Sequence, residues 1–332
     1  IKAGDAFVAV QGQMSHGLDY ARSAVAAGAV AVIHDGLKAL PELDVPSCEV
    51  AGLGNKLGEL ASRYYAAPSE QMKIAGITGT NGKTSVAHFL AQSWQRVYGN
   101  AGMVGTLGYG PLGALQSGAR TTPDPLSLQR VLSDCVKADI ERLAMEVSSH
   151  ALQQHRCQTV QFDAAVFTNL SRDHLDYHSD MADYAAAKRL LFTDYAPSFA
   201  IINHDDAYGR KWFGELNGGM QMLSFGLQEG AELRAEIRSI DIGGMNIRVT
   251  GPWGSEEIHT SLLGAFNASN LLATAGTLAL LGMPWSRVLH QLEVMQPVPG
   301  RMMRLGGEPG QPVVVVDYAH TPDALELSLI HI

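Results

Sequence analysis

At 332 residues the chain exceeds one small core, and two or three domains are expected. Apolar residues at 46% against 17% charged describe a globular protein rather than a disordered one, and a net charge of −9 with no basic run argues against a nucleic-acid partner. Cys48, Cys135 and Cys157 have no paired spacing, which argues against structural zinc and for a reducing, cytoplasmic setting. The longest apolar stretch, Leu271 to Trp285, is broken by Thr274, Gly276, Thr277 and Gly282 and is too short to span a bilayer, and there is no signal-peptide pattern.

The chain opens inside a turn and strand, Ile1 to Val10, without an initiating Met, and reads as an internal piece of a longer frame. Phe7–Val10 and Ala29–His34 read as strands, with a helix at Tyr20–Ala27 between them. Ala66-Ala67-Pro68-Ser69 reads as a linker that closes a first region at about residue 69. From Met72 the pattern alternates. Strands are predicted at Lys73–Ile77, Arg142–Glu146, Ala164–Thr168 and Phe199–Asn203. Helices are predicted near Lys83–Tyr98, Leu126–Ala138, Met181–Asp194 and Asp205–Leu216. Such alternation implies an α/β fold, a parallel sheet with helices on both faces. Residues 220–263 change character, and Leu233 to Val249 reads as antiparallel hairpins. Asn267–Leu281 is predicted helical, followed by a helix begun by Pro284. Pro297-Val298-Pro299-Gly300 breaks the chain. Pro312 to Asp317 then reads as a buried strand, and Thr321-Pro322-Asp323 as the N-cap of another helix.

The most informative stretch is Gly76-Ile77-Thr78-Gly79-Thr80-Asn81-Gly82-Lys83-Thr84-Ser85, set between a predicted strand and a predicted helix. Such a turn aims backbone N–H groups at the helix N-terminus, where an anion is favoured. Lys83 supplies a point charge for terminal phosphates and Thr84 a hydroxyl for Mg²⁺. The longest form of the motif wants a glycine where Ile77 stands, so the match is to the shorter Gly79-x-x-Gly82-Lys83-Thr84. The reading is a phosphate-binding loop for ATP; a glycine-rich turn with a solvated lysine is the plainer alternative.

Glu146 ends a predicted strand, where ligands of parallel sheets gather, and is suited to Mg²⁺; a charge that merely caps the strand is the alternative. The loop Phe167 to His178 carries Asp173, His174, Asp176 and His178 at another strand end, dense enough for a metal or substrate site. By spacing alone Lys188 reads as an ordinary snorkelling lysine. Thr121-Thr122-Pro123 and Gln154-His155-Arg156 are polar loop groups, the arginine suited to a carboxylate or phosphate.

Gly79–Ser85, Met145–His150, Thr168–His178, Lys188, Gly264–Asn270, Gly300–Met302 and Asp317–Asp323 together resemble, in order and over almost the whole chain, the ATP-dependent Mur ligases of bacterial cell-wall synthesis. Thr121-Thr122-Pro123, Glu146–His150 and Asp317–Asp323 most resemble the members that add the third amino acid to UDP-N-acetylmuramoyl-L-alanyl-D-glutamate. The resemblance implies a central parallel-sheet P-loop ATPase domain (70–297), a partial N-terminal UDP-muramoyl-binding α/β domain (1–69) and the beginning of a C-terminal Rossmann-like ligase domain (298–332). It implies that Gly79, Thr80, Asn81, Gly82, Lys83, Thr84 and Ser85 hold ATP, with Asn270, Arg301 and Asp317 also at the nucleotide. Glu146 and His174, with Thr84, become Mg²⁺ ligands. Lys188 becomes a CO₂-derived carbamate that helps position the metal, and so leaves the snorkelling reading behind. Thr121, Thr122, Ser148, Gln154 and Arg156 grip the muramoyl dipeptide, and Gln13, Met14 and Ser15 touch its uridine part.

The expected partners are the UDP-linked dipeptide and a free amino acid, acted on by a monomer with no membrane or nucleic-acid partner. The family's Asp-Ser-Arg uridine segment would precede Ile1. Its Asn-Pro-Arg-type loop, which selects the amino acid, would follow Glu326, where Leu327 to Ile332 departs from the pattern. Whether meso-diaminopimelate or L-lysine is added therefore stays open, and a chain ending here is expected to bind ATP-Mg²⁺ without ligating. The rival readings are a sister Mur ligase, a folylpolyglutamate synthetase, or a non-catalytic nucleotide-binding fragment.

Overall fold

Residues 1–12, 14–216, 219–306, 312–319 and 325 are described in the computed structural model, and the chain divides into two units, Ile1–Tyr64 and Tyr65–Ile332. In the first, β1 (Ala6–Ala9), α1 (Ala21–Ala26) and β2 (Ala31–His34) form the expected strand–helix–strand, with β1 and β2 parallel. A third parallel strand, β3 (Ser47–Glu49), and α2 (Leu57–Tyr64) complete the unit. Three exposed residues give β3 no apolar pattern to read. The core is small: Ala9, Leu18, Ala21 and Val32 are buried, with Phe7, Val25, Leu43 and Val45 packed against them.

The second unit is built on one sheet. Its elements run β4 (Lys73–Thr78), α3 (Lys83–Tyr98), β5 (Gly102–Gly105), β6 (Gly108–Pro111), α4 (Pro125–Lys137), β7 (Arg142–Glu146), α5 (Ser149–Gln153), β8 (Ala164–Phe167), α6 (Met181–Thr193), β9 (Phe199–Asn203), α7 (Ala207–Glu215), β10 (Gln221–Gly226), β11 (Leu233–Asp241), β12 (Gly244–Gly251), β13 (Gly254–Thr260), α8 (Ala265–Leu280) and α9 (Trp285–Glu293). The strand order is β13-β12-β11-β10-β9-β8-β4-β7-β5-β6. From β10 through β5 the strands are parallel. β6 adds an antiparallel edge, and β12 and β13 add antiparallel strands at the other end. The sheet is thus mixed: the predicted hairpins extend it, because β11 pairs parallel with β10.

Central strands are apolar runs, buried on both faces, as a helix-covered parallel sheet requires. One face packs against α3, α8 and α9 and the other against α4, α6 and α7. In the middle, β4 lies between β7 and β8, with Ile77 level with Glu146 and Thr78 with Phe167. Their carboxyl ends therefore open onto one crevice, where such sheets bind ligands.

One expectation is corrected. The apolar run before Asp317 does form a strand, β15 (Val313–Val316), but it is not buried. It pairs antiparallel with β14 (Met303–Gly306), and Val313, Val314 and Val316 are exposed. An apolar run marks a strand meant for a sheet interior, and two strands alone cannot bury it. The predicted N-cap Thr321-Pro322-Asp323 and the tail Leu327 to Ile332 lie outside the described residues. Among the described residues no helix is long and apolar enough to cross a membrane.

Candidate active site

The loop between β4 and α3 takes the conformation its glycines permit. Gly79 and Gly82 have φ of +146° and +86°. A Cβ at Gly79 would collide with the Thr168 hydroxyl, and one at Gly82 with the Asn270 amide oxygen. Glycine is therefore required twice over, by backbone and by space. The segment after β8 braces the loop. Thr80 N–H donates to Asn169 O (2.9 Å), Asn81 N–H to Asn169 Oδ1 (2.9 Å), and Thr168 Oγ1 to Asn81 O (2.6 Å). The Thr80 hydroxyl lies 3.3 Å from the Tyr184 hydroxyl and accepts from Ser171 N–H.

Two lysines meet on this loop. Lys83 Nζ donates to Gly79 O (2.9 Å) and Thr80 O (2.8 Å), while Lys188 Nζ, from α6, donates to Gly79 O at 2.8 Å. Lys188 is 1% exposed and sits over the Tyr184 ring. Burial, then the charge of Lys83, hold its pKa well below the ordinary lysine value. Burial lowers that of Lys83 too, opposed by the charges of Glu146 and Asp173.

Glu146, at the end of β7, is fully buried. Its carboxylate accepts from Thr84 Oγ1 (2.9 Å), from Thr106 N–H (2.7 Å) and from Thr106 Oγ1 (3.3 Å). Burial raises its pKa, and Lys83 acts against that rise. Gly105 leaves room for it, since a Cβ there would strike the carboxylate.

Beside Glu146 the polar loop groups form one chain of bonds. Thr122 Oγ1 donates to Glu146 O (2.9 Å) and accepts from Ser148 N–H (3.2 Å). Arg156 donates to Thr122 O (3.0 Å) and to Gln154 Oε1 (2.9 Å from Nε), and Gln154 donates to the Tyr177 hydroxyl (3.0 Å). Thr121 joins through Thr106, hydroxyl to hydroxyl at 3.3 Å. Thr121, Thr122, Ser148, Gln154 and Arg156, far apart in sequence, are thus one continuous wall.

His174 belongs to a neighbouring group. It has φ +53°, an unusual left-handed backbone for a non-glycine residue. Its Nε2 lies 3.4 Å from Asp173, and its ring lies edge-on to His150 and Tyr184. Among the described residues no three His, Cys, Asp or Glu side chains gather closely enough to hold a metal ion by themselves. Glu146 and Thr84 offer two oxygen ligands. That fits Mg²⁺, which commonly takes one or two protein oxygens and completes its shell with phosphates and water.

On the other side of the loop, Asn270 is buried, faces Gly82, and donates to Asn267 Oδ1 (3.1 Å). Arg301 contributes positive charge at Lys83 and Glu146 and stacks on Tyr318 at 4.6 Å. It lines a cleft with Ser85, Phe89, Asn267, Val298 and Met302. Asp317 accepts from Met302 N–H at 3.2 Å. In the first unit Met14 is fully exposed, the Ser15 hydroxyl lies 3.3 Å from that of Tyr20, and Gln13 lies outside the described residues. The sequence reading passed over Thr106 and Tyr184 and, though it singled out the stretch holding Thr168 and Asn169, gave those two no role of their own. Only their position just past strand ends, or on the Lys188 face of α6, could have marked them.

The model of the Mur ligase middle domain matches residues 77–278. The chain is 45% identical to the UDP-N-acetylmuramoyl-L-alanyl-D-glutamate–2,6-diaminopimelate ligase of Alkalilimnicola ehrlichii, over 99% of this chain and 68% of that protein. It is also 45% identical to the enzyme of the same name from Xanthomonas campestris pv. campestris, over 99% of this chain and 67% of that one. A solved structure of a ligase of that name superposes with a TM-score of 0.83 at 30% identity, covering 100% of this chain and 68% of the other. A family match over most of the chain, close relatives along its length, and a phosphate loop backed by a buried glutamate agree: the chain belongs to the Mur ligase family.

Proposed function

We propose that this chain is an ATP-dependent ligase that joins diaminopimelate to a carboxylate of UDP-N-acetylmuramoyl-L-alanyl-D-glutamate in peptidoglycan synthesis. One observation carries the reading. A phosphate-type loop, a fully buried glutamate tied to its threonine, and two lysines on one loop carbonyl converge at adjacent strand ends. The relatives at 45% identity carry diaminopimelate in their names, which favours it over L-lysine. Residues 1–69 would then serve the UDP-muramoyl group, 70–297 ATP and the acyl group, and 298–332 would begin the ligase domain. A reaction that consumes ATP and a UDP-linked precursor belongs in the cytoplasm.

A carboxylate is a poor acyl donor, so it must be activated. Its oxygen attacks the γ-phosphorus of ATP, ADP leaves, and an acyl phosphate remains. The amine nitrogen then attacks the acyl carbon and loses a proton, and phosphate departs with the former carboxylate oxygen. The N–H groups of the loop and Lys83 hold charge on the transferring phosphoryl group. Thr122, Ser148, Gln154 and Arg156 hold the dipeptide so that its carboxylate is in reach. Mg²⁺, when bound, neutralises phosphate charge; Thr84 and Glu146 would hold it, with His174 and a carbamate on Lys188 at a second position. The Lys188 amine fits carbamate formation because it is buried, sits on a loop carbonyl over the Tyr184 ring, and has a pKa held well below the ordinary lysine value by burial and then by the charge of Lys83.

The test is hydroxylamine trapping. With ATP, Mg²⁺ and the UDP-linked dipeptide, the protein should yield ADP and a dipeptide hydroxamate. ADP formation that does not depend on the dipeptide, or no hydroxamate at all, would overturn the reading.

A further inference from the structure

We infer that Gln92, further along α3 from the phosphate loop, is a positioning residue that sets Arg301 against the nucleotide by clamping the backbone of Gln296. The inference rests on the reading that the loop binds ATP.

Gln92 is 8% exposed, and its amide has a partner for every hydrogen and lone pair it can use. Nε2 donates to His88 Nδ1 (2.8 Å) and to Gln296 O (3.0 Å). Oε1 accepts from Arg96 (2.9 Å) and from Gln296 N–H (3.2 Å). The two bonds to Gln296 are reciprocal. The side chain behaves as a strand neighbour would, toward one residue 204 positions away. His88 and Arg96 lie one turn before and one turn after Gln92, and they fix the amide so that its donor and acceptor sides cannot exchange.

What Gln296 leads into gives the clamp its meaning. The chain leaves α9, passes Met295 and Gln296, and enters Pro297-Val298-Pro299-Gly300-Arg301. Pro297, Val298, Arg301 and Met302 form one wall of the cleft beside the loop. Ser85 and Phe89, on α3 itself, line the same cleft. Gln92 sits one turn past Phe89, so it grips the segment where the segment enters the cleft. Burial of Met295 and Val298 holds the segment close but is non-directional. Two opposed hydrogen bonds fix its height along α3. The prolines lack N–H groups and restrict the backbone, so a shift at Gln296 is passed on toward Arg301 rather than absorbed.

Gln92→Met keeps the length of the side chain and a good helix former while removing both bonds to Gln296. ATP affinity is measured for the wild type, Gln92→Met, Arg301→Ala and the double variant, and amide exchange is followed over residues 294–302. Gln92→Met should weaken ATP roughly tenfold in the wild-type background, about the worth of one charge-assisted contact. It should add less than about twofold in the Arg301→Ala background, because a residue that acts through Arg301 has nothing left to position. Exchange at the Gln296 amide should speed up. Penalties that simply add would show a general packing role and overturn the inference, as would unchanged ATP affinity or unchanged exchange. A wild-type chain that binds no ATP overturns the nucleotide reading and this role with it; the exchange result, which needs no ligand, tells that failure from a failure of the clamp.

Discussion

Lys83 and Lys188 share the carbonyl of Gly79, where Lys188 is buried and Lys83 half-buried. Burial first, and then repulsion from the Lys83 charge on the same oxygen, hold the pKa of Lys188 well below the ordinary lysine value. A carbamate on Lys188 would turn the repulsion into attraction, which gives a physical reason for the modification at this position. Lys188→Ala is expected to lose dipeptide-dependent ADP formation in hydroxylamine on the order of 10²–10³-fold, the usual cost of one charge-stabilising group, and to regain part of it with acetate or propionate. Rescue by small amines in place of carboxylates would mark an ordinary cationic lysine. Lys83→Ala should abolish ATP binding in titration while circular dichroism stays unchanged, because among the described residues its ammonium bonds to loop carbonyls and not into the core. Unchanged ATP affinity would remove the phosphate-loop assignment. Of these two lysines the sequence announces only Lys83, whose motif is local. The place of Lys188 depends on which turn of α6 faces β4, and a buried lysine has no apolar pattern of its own to disclose it.

Helix α3 joins the loop to the segment that leads to Arg301, and a half-buried histidine sits between them. Burial, then the charge of Arg96, lower the pKa of His88 to about 4 from an ordinary 6.5. In the folded chain the ring is neutral and accepts from Gln92, while the unfolded chain takes up a proton below about 6.5. Between those values the unfolded state binds more protons, so stability rises with pH across the window. It is complete above about 6.5 and is lost as the pH falls toward 4, by up to about 3 kcal/mol. His88→Gln should flatten that part of the stability profile in urea titrations at a series of pH values; an unaltered slope would assign the effect to other groups. At this scale the sequence was informative wherever an element carried a long apolar period. α3 has the limits read from the sequence, as do β7 and β9. It was silent at β5 and β6, whose glycine-rich Gly102–Gly105 and Gly108–Pro111 resemble turns, and with them it missed Thr106 on Glu146. The antiparallel extension past β10 was seen as hairpins but not as part of the main sheet, because which edge a hairpin joins is a long-range choice.

At the scale of the whole chain the two units are unequal. Among the described residues, 1–64 form one small cluster, Ala9, Leu18, Ala21 and Val32 with a few partly buried neighbours, whereas residues 65–332 bury two large clusters on either side of the sheet. A chain of about 60 residues buries only about 60% of the surface it exposes when unfolded and is marginal by that measure. Calorimetry is therefore expected to resolve two transitions, a smaller one at lower temperature from the first unit and a larger one above it. Gly79–Ser85, Glu146, Asn270 and Arg301 all fall in the second unit, so MgATP should act on the upper transition alone. At a hundred times its dissociation constant it adds about 2.7 kcal/mol to whatever folded unit binds it. The lower transition should stay where it is with MgATP. A single transition that moves as a whole would mean that the first unit borrows its stability from the second, and the small core seen in residues 1–64 would then not be the measure of how firmly that unit is held.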